Sequence, residues 1–116
     1  MSGPEPGDVH TVVRQFDPDD VDAFAAVTGD DQPRHTEPDD QGRRLVQGLL
    51  TGSLLTDIGG DLDMLARSME FHFVRPVYTG DTLRCVWENA RVAERPDGWD
   101  VTARVTVERL GGEGEA

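Results

Sequence analysis

The sequence contains no lysine and very little cysteine. All 11 basic residues among its 116 positions are arginine, set against 23 acidic residues, and the formal net charge is -12. A negative field of this size repels nucleic acid and anionic membrane surfaces, so neither is an expected partner. The Asp-rich, Lys-free composition indicates a protein of a salt-rich cytoplasm, where ions screen the self-repulsion. A GC-rich genome, which favours arginine over lysine, is the alternative explanation.

The single cysteine, Cys85, excludes an internal disulfide and fits a reducing compartment. It lies in an alternating apolar stretch, which favours a small core residue over a reactive thiol. No apolar run reaches membrane-spanning length, and the N-terminus "MSGPEPGD" lacks the pattern of a signal peptide. No Cys/His cluster has metal-ligand spacing. We therefore expect a soluble cytoplasmic protein with no metal and no cofactor.

The length corresponds to one domain. Residues 1–8 and 111–116 are rich in Gly, Pro and Glu and are predicted to be flexible ends, which leaves residues 9–110 as the folded domain. A domain this small has little surface for a deep pocket. We therefore expect a homodimer or a higher homo-oligomer.

The first half of the chain predicts a strand and two helices. "VHTVVRQF", residues 9–16, is β-branched enough for a strand. In the next stretch Asp17 can cap a helix, Pro18 suits its first position and Gly29 can end it. The predicted inward positions of that helix are Val21, Phe24, Ala25 and Thr28.

A polar loop is predicted from Asp30 to Arg44. The apolar stretch "LVQGLLTGSLLTDIGG", residues 45–60, then predicts a helix that ends at Gly59 and Gly60. Apolar residues nearly surround this helix, so it must be buried centrally. Its small residues Gly48, Gly52 and Ser53 would let other parts of the chain come close.

The second half predicts strands. Residues 66–77 alternate, with Met69, Phe71 and Phe73 on one face. Residues 82–94 and 99–110 read as two more strands, joined by a hairpin turn at "RPDG". A sheet wrapped around one central helix satisfies these burial demands. The predicted fold class is therefore α+β, a single hotdog domain with an antiparallel β-sheet around a central buried helix.

The stretch "VTGDDQPRHTEP" contains the candidate chemistry. Asp30 and His35 are five positions apart across the stiff Pro33, so a tight turn could aim both side chains at one point. A carboxylate and an imidazole that share one water form a general acid/base pair. The alternative interpretation is that Asp30 only forms a turn and His35 is a solvated loop residue without a catalytic role.

This segment resembles the signature of the MaoC-like hydratases, which are (R)-specific enoyl-thioester hydratases and dehydratases of hotdog fold. Their pattern F-A-x-x-[ST]-G-D-x-N-P-x-H is followed by V-H-G at the head of the central helix, and "PVYTGDTL" further along resembles their P-V-x-x-G-D-x-L turn. The matching residues here are Phe24, Ala25, Thr28, Gly29, Asp30, Pro33, His35, Val46 and Gly48.

The resemblance implies residue roles. Asp30 and His35 match the catalytic pair that activates water, and Gly48 matches the glycine whose backbone N–H faces the thioester oxygen. Thr56 falls where family members often have a small hydroxyl residue near the site. The implied reaction is hydration of trans-2-enoyl-CoA, or dehydration of (R)-3-hydroxyacyl-CoA, by a lyase of fatty acid metabolism.

Three residues depart from the family pattern. Gln32 stands in place of Asn, Gln47 in place of His, and Arg34 in place of an apolar residue. Together with Thr56, these positions are predicted to bind substrate. The departures put the substrate preference in doubt, whereas both proton-transfer residues are retained.

The expected acyl carrier is coenzyme A, with an acyl carrier protein as the alternative. Arginines receive phosphates well because guanidinium binds them bidentately. The candidates are Arg34, Arg43, Arg44 and Arg75. Each of them could equally balance neighbouring acidic residues.

Two other functions stay open. A hotdog thioesterase needs a carboxylate on the central helix, and Asp57, near the end of that helix, is the only acid there. A non-catalytic subunit that binds acyl thioesters would explain the departures at Gln32, Arg34 and Gln47.

Overall fold

The structure, a computed structural model, describes residues 3–111. Within those residues the sheet is antiparallel and has the order β1–β2–β3. The strands are β1 (Val9–Gln15), β2 (Thr82–Arg95) and β3 (Gly98–Arg109). The helices between β1 and β2 are α1 (Pro18–Thr28), α2 (Pro33–Thr36), α3 (Gly48–Gly52) and α4 (Leu54–Asp61). This is the α+β hotdog class that the sequence predicts.

The long hairpin of β2 and β3 forms most of the sheet. Arg95 pairs with Gly98 across the predicted turn, and the register shifts once, between Asn89 and Arg91. Alternate residues of a strand face the same side of the sheet, and the buried positions of β2 follow that period. They are Leu83, Cys85, Trp87 and Asn89.

Helix α1 has the predicted ends. The Asp17 carboxylate accepts a hydrogen bond from the Asp20 N–H at 2.9 Å, and the Asp20 carboxylate accepts one from the Asp17 N–H at 3.0 Å. Gly29 ends the helix with φ of 80°, a conformation that suits glycine. Val21 and Ala25 are buried, whereas Thr28, predicted to face inward, is exposed.

The predicted central helix is divided into α3 and α4. They meet at Ser53, whose N–H donates to both Leu49 O and Leu50 O and whose hydroxyl donates to Leu50 O. Helix α4 continues through both glycines to Asp61, so the predicted end was wrong. The prediction that this helix is buried on nearly all sides was also wrong, because Leu49 is 56% exposed. The buried residues of α4 lie on its inward face, where Leu54 and Ile58 belong to the hydrophobic core.

The predicted strand over residues 66–77 is wrong. This segment has no regular secondary structure, and the described sheet contains only β1, β2 and β3. Its aromatic rings pack on α3 instead. A Cβ at Gly52 would lie 2.9 Å from the Phe71 ring, and one at Gly48 would lie 3.1 Å from the Phe73 ring. The glycines of α3 therefore admit two rings, which stack on each other with centroids 5.8 Å apart.

The core lies between the sheet and the helices. Its buried apolar residues are Phe16, Val21, Val46, Leu54, Ile58, Val77, Leu83, Cys85 and Trp87. Residues 5–8, part of the predicted flexible N-terminus, form a turn that hydrogen-bonds Asn89. Residues 1–2 and 112–116 of the predicted flexible ends lie outside the described residues. Between residues 3 and 111, no helix is both long and apolar enough to cross a membrane.

Candidate active site

Asp30 and His35 lie next to each other. The left-handed turn at Gly29 redirects the chain after α1, and Pro33 starts the single turn of α2 that carries His35. His35 Nε2 lies 3.7 Å from Asp30 Oδ2. His35 is only 5% exposed, so the alternative of a solvated loop histidine was wrong. The sequence analysis missed α2, although Pro33 is a typical first residue of a helix.

The backbone of Leu45 fixes the tautomer of His35. Its Nδ1 lies 2.7 Å from Leu45 O. A carbonyl oxygen only accepts hydrogen bonds, so Nδ1 of the neutral ring carries the proton. Nε2 is then left with a lone pair directed towards Asp30. Two acceptors at 3.7 Å suit a bridging water, which can donate a hydrogen to each of them.

Asp30 is held by its neighbours in the sequence. Its N–H donates to the Thr28 hydroxyl at 3.2 Å, and Gln32 Nε2 donates to Asp30 Oδ1 at 2.9 Å. The second contact involves Oδ1, so Oδ2 is the carboxylate oxygen that faces His35. Gln32, which replaces the family's Asn, therefore hydrogen-bonds the Asp30 carboxylate.

Gln47 lies behind this pair. It is 1% exposed and lines neither of the two cavities described below. Its Nε2 donates to Val21 O at 3.1 Å and approaches Asp30 O at 3.4 Å. The predicted contact of Gln47 with substrate is thus replaced by contacts with the protein backbone.

A cavity of about 380 Å³ opens beside His35. Gln32, Arg34 and Gly48 also line it. Gly48 is the first residue of α3, and its N–H is one of the donors that an α-helix cannot satisfy internally. This cavity therefore brings together the imidazole and a free backbone donor.

A second cavity of about 1990 Å³ lies between α4, the 66–74 segment and the sheet. Thr51 is the one helix residue that lines both cavities, within the described ranges. Its hydroxyl is buried and has no partner in that part of the chain. The sequence analysis missed Thr51. Its signal was a lone hydroxyl three positions after Gly48 on the same helix face.

Thr56 lines only the larger cavity, and its hydroxyl donates to Ser53 O at 2.6 Å. Asp57 is exposed and lines neither cavity. Burial in the core raises the pKa of the Cys85 thiol to about 11, and the nearby charge of Asp57 adds to this rise. Cys85 is therefore a protonated core residue and not part of the site.

The four candidate phosphate-binding arginines divide into two pairs. Arg34 and Arg75 line the smaller cavity. Arg43 binds Asp39 and lies 4.0 Å over the ring of Tyr78. The fourth candidate, Arg44, binds the Asp22 carboxylate of α1 at 2.8 Å. Arg43 and Arg44 are thus bound by carboxylates outside the smaller cavity, whereas Arg34 and Arg75 are part of its lining.

Between residues 3 and 111, no set of three or more His, Cys, Asp or Glu side chains is arranged to hold a metal ion.

Several solved structures share this fold. The chain is similar to the (R)-hydratase from A. caviae involved in PHA biosynthesis, with 28% identity and a TM-score of 0.77 over 100% of this chain and 92% of that one. It is also similar to R-hydratase PhaJ1 from Pseudomonas aeruginosa in the unliganded form, with 23% identity and a TM-score of 0.79 over 97% and 76% of the two chains. Protein af1124 from Archaeoglobus fulgidus, at 20% identity, has a TM-score of 0.80 over 99% of this chain and 76% of that one. No family model and no curated protein matches the chain.

The fold defines the chain as a hotdog protein of the α+β class. Its structural neighbours, which include an (R)-hydratase at 28% identity, support a relationship to the MaoC-like hotdog proteins.

Proposed function

We propose that this chain catalyses the (R)-specific hydration of trans-2-enoyl-CoA and the reverse dehydration of (R)-3-hydroxyacyl-CoA. The observation that carries the proposal is the 3.7 Å gap between Asp30 Oδ2 and the proton-free Nε2 of His35. This gap lies beside a cavity that also contains the Gly48 backbone. Similarity to the A. caviae (R)-hydratase supports the same reaction.

In the hydration direction, the thioester carbonyl accepts a hydrogen bond from the Gly48 N–H. Charge that develops on this oxygen is stabilised there as water adds to C3. His35 Nε2 removes a proton from the water while Asp30 Oδ2 orients it. The protonated imidazole then returns a proton to C2. Dehydration follows the same steps in reverse and needs no metal.

The larger cavity suits the acyl chain. Its lining includes charged residues near the surface and, on α4 and the strands, apolar residues such as Leu55, Trp87 and Val105. Thr51 and Gly52 lie where the acyl group would pass from the reacting carbons towards this space. Arg34 and Arg75 lie on the opposite, solvent-facing side and are our candidates for the coenzyme A phosphates.

Hydrolysis of the thioester has less support. A thioesterase of this fold needs a carboxylate at the reacting bond, and Asp57 of α4 is exposed and lines neither cavity. Asp30 also lines neither cavity, but its Oδ2 lies 3.7 Å from Nε2 of His35, which lines the smaller one. That pairing favours proton transfer to and from water at carbon.

We also propose a homodimer in the cytoplasm. Large apolar side chains are exposed on the edge strand β1, at Val9 and Val13, and on the 62–77 segment, at Leu65, Met69 and Phe73. An exposed sheet edge with apolar residues is a natural pairing surface. Sedimentation of the protein at its assay salt concentration tests the assembly, and a pure monomer would contradict it.

The activity test uses crotonyl-CoA at low and high salt. We expect loss of the conjugated enoyl absorbance without release of free thiol, and a product that is (R)-3-hydroxybutyryl-CoA. Free thiol without hydration would identify a thioesterase. Tight binding of crotonyl-CoA without either change, by folded protein, would identify a non-catalytic binding subunit.

A further inference from the structure

We propose that Gln47 is a positioning residue, which holds the Asp30 loop at a fixed distance from the Gly48 N–H. This inference rests on the proposed hydratase function. It concerns a residue outside both cavities, so Gln47 acts through Asp30 and touches no substrate.

The Gln47 amide joins three parts of the chain. Gln47 is the residue immediately before α3, and one of its acceptors, Val21 O, belongs to α1. The other acceptor, Asp30 O, lies in the loop that carries the carboxylate. An amide nitrogen has two hydrogens, one for each carbonyl. The Asp30 contact, at 3.4 Å, is at the long end of the hydrogen-bond range and the Val21 contact is the stronger one.

The orientation of this amide is fixed by its partners. Both neighbours are carbonyl oxygens, so a flipped amide would point its own oxygen at two acceptors. In the observed orientation Oε1 is buried and, among residues 3–111, has no partner. A buried acceptor without a hydrogen bond lowers the stability of the fold, and a methionine at this position would have no such acceptor. The two donated bonds are what the glutamine adds at this position.

Gln47 supplies what the local contacts of Asp30 lack. Thr28 and Gln32 hold Asp30 from two residues away in the sequence, so they move with the loop. Gln47 is 17 residues away and adjacent to Gly48, so its bond connects the loop to the start of α3. The proposed reaction needs the water at Asp30 and the carbonyl at Gly48 in one fixed geometry.

The test is a double-mutant cycle of Gln47→Met with Asp30→Asn on crotonyl-CoA. Gln47→Met alone should lower kcat by about 10–10²-fold, the size of a small misplacement of reacting groups, with little change in KM. In the Asp30→Asn background it should cost almost nothing, because the carboxylate it positions is gone. Gln15→Met is the matched control, since it makes the same substitution at an amide outside both cavities, whose Nε2 donates to the Thr82 hydroxyl. Its effect should be the same in both backgrounds.

A second readout does not depend on activity. The chain has three histidines, so the His35 ring resonances can be assigned by NMR. Gln47→Met should shift the His35 signals and leave those of the exposed His72 unchanged, whereas Gln15→Met should leave the His35 signals unchanged. If Gln47→Met fails to fold, Gln47→His keeps one ring donor and should show a smaller loss of kcat that still depends on Asp30.

The outcomes separate the two proposals. A wild type that folds and does not hydrate crotonyl-CoA removes the proposed function, and the His35 resonances then decide the positioning role alone. Equal effects of Gln47→Met in the wild-type and Asp30→Asn backgrounds, or unshifted His35 resonances in a folded variant, would overturn the positioning role while the hydratase stands.

Discussion

At the scale of the residue, His35 depends on a carbonyl ten positions away. Nδ1 donates a hydrogen bond to the Leu45 carbonyl oxygen at 2.7 Å, and this leaves Nε2 to face Asp30. A histidine with the opposite tautomer would present a proton to a carboxylate and could not remove one from water. Backbone geometry therefore decides whether this imidazole acts as a base.

Arg34 gives a prediction about the carrier. It is exposed at the cavity mouth, and we expect Arg34→Ala to raise KM for crotonyl-CoA about 10-fold, which corresponds to about 1.4 kcal/mol. KM for crotonyl-pantetheine, which lacks the nucleotide phosphates, should not change. Steady-state kinetics with both thioesters checks this, and Arg84→Ala, which removes an arginine paired with Glu108, is the control. An equal rise for both substrates would show that Arg34 binds no phosphate.

Cys85 gives a prediction about pH. Burial, helped by the charge of Asp57, raises the thiol's pKa from 9.0 to about 11. The folded state therefore holds this proton more tightly than the unfolded chain. Its contribution to stability is complete below pH 9 and is lost as the pH rises towards 11, by roughly 3 kcal/mol. Urea unfolding between pH 8 and 11 should show a steeper fall for wild type than for Cys85→Ala, and parallel curves would contradict this.

At the scale of the element, the sequence predicted correctly those elements whose ends and turns are determined by residues close together in the chain. Asp17, Pro18 and Gly29 define α1, and a tight turn with alternating burial defines the β2–β3 hairpin. The 66–77 segment shows the limit. Its alternation is the same for a paired strand and for an irregular segment held by aromatic rings. Only the contacts of Phe71 and Phe73 with the glycines of α3 distinguish the two.

The site was predictable to a similar degree. The spacing of Asp30 and His35 indicated convergence, and the structure has them adjacent. Their supports were not predictable, because Leu45 and Gln47 reach them from 10 and 17 residues away. Contacts over that separation depend on how helices pack, which a motif in the sequence does not record.

Two glycines test the contact of α3 with the aromatic segment. Gly52→Ala places a Cβ 2.9 Å from the Phe71 ring, whereas a Cβ at Gly60 in α4 meets nothing within 4 Å. We expect Gly60→Ala to stabilise the protein by about 0.5–1 kcal/mol through helix propensity. Gly52→Ala should lose that gain and destabilise by roughly 1–3 kcal/mol, because the stacked rings must move. Urea unfolding of both variants checks this, and equal stabilisation would mean that the rings do not depend on Gly52.

At the scale of the whole molecule, charge is the dominant feature. A net charge of -12 on 116 residues produces self-repulsion that dissolved ions reduce. Ion pairs such as Arg84–Glu108 are at the surface and contribute little each. Hydrophobic burial must therefore stabilise the fold against a repulsion that depends on the salt concentration.

We expect stability to increase with salt. The urea midpoint of unfolding should rise as NaCl is increased from about 0.05 M to 1 M, because the Debye length falls from roughly 14 Å to about 3 Å. An equal concentration of a neutral solute such as sucrose is the control for general exclusion effects. A midpoint that is constant or falls with NaCl would contradict adaptation to a salt-rich cytoplasm.

The most direct test of the account is the rate of crotonyl-CoA hydration by wild type, Asp30→Asn and His35→Ala. We expect turnover by wild type and a loss of about 10²–10⁴-fold in each variant, since each removes one half of the acid/base pair. Asp31→Asn changes the adjacent carboxylate, which is exposed and outside both cavities, and should keep the wild-type rate. Folded Asp30→Asn and His35→Ala proteins that retain the full rate would contradict the role of the pair.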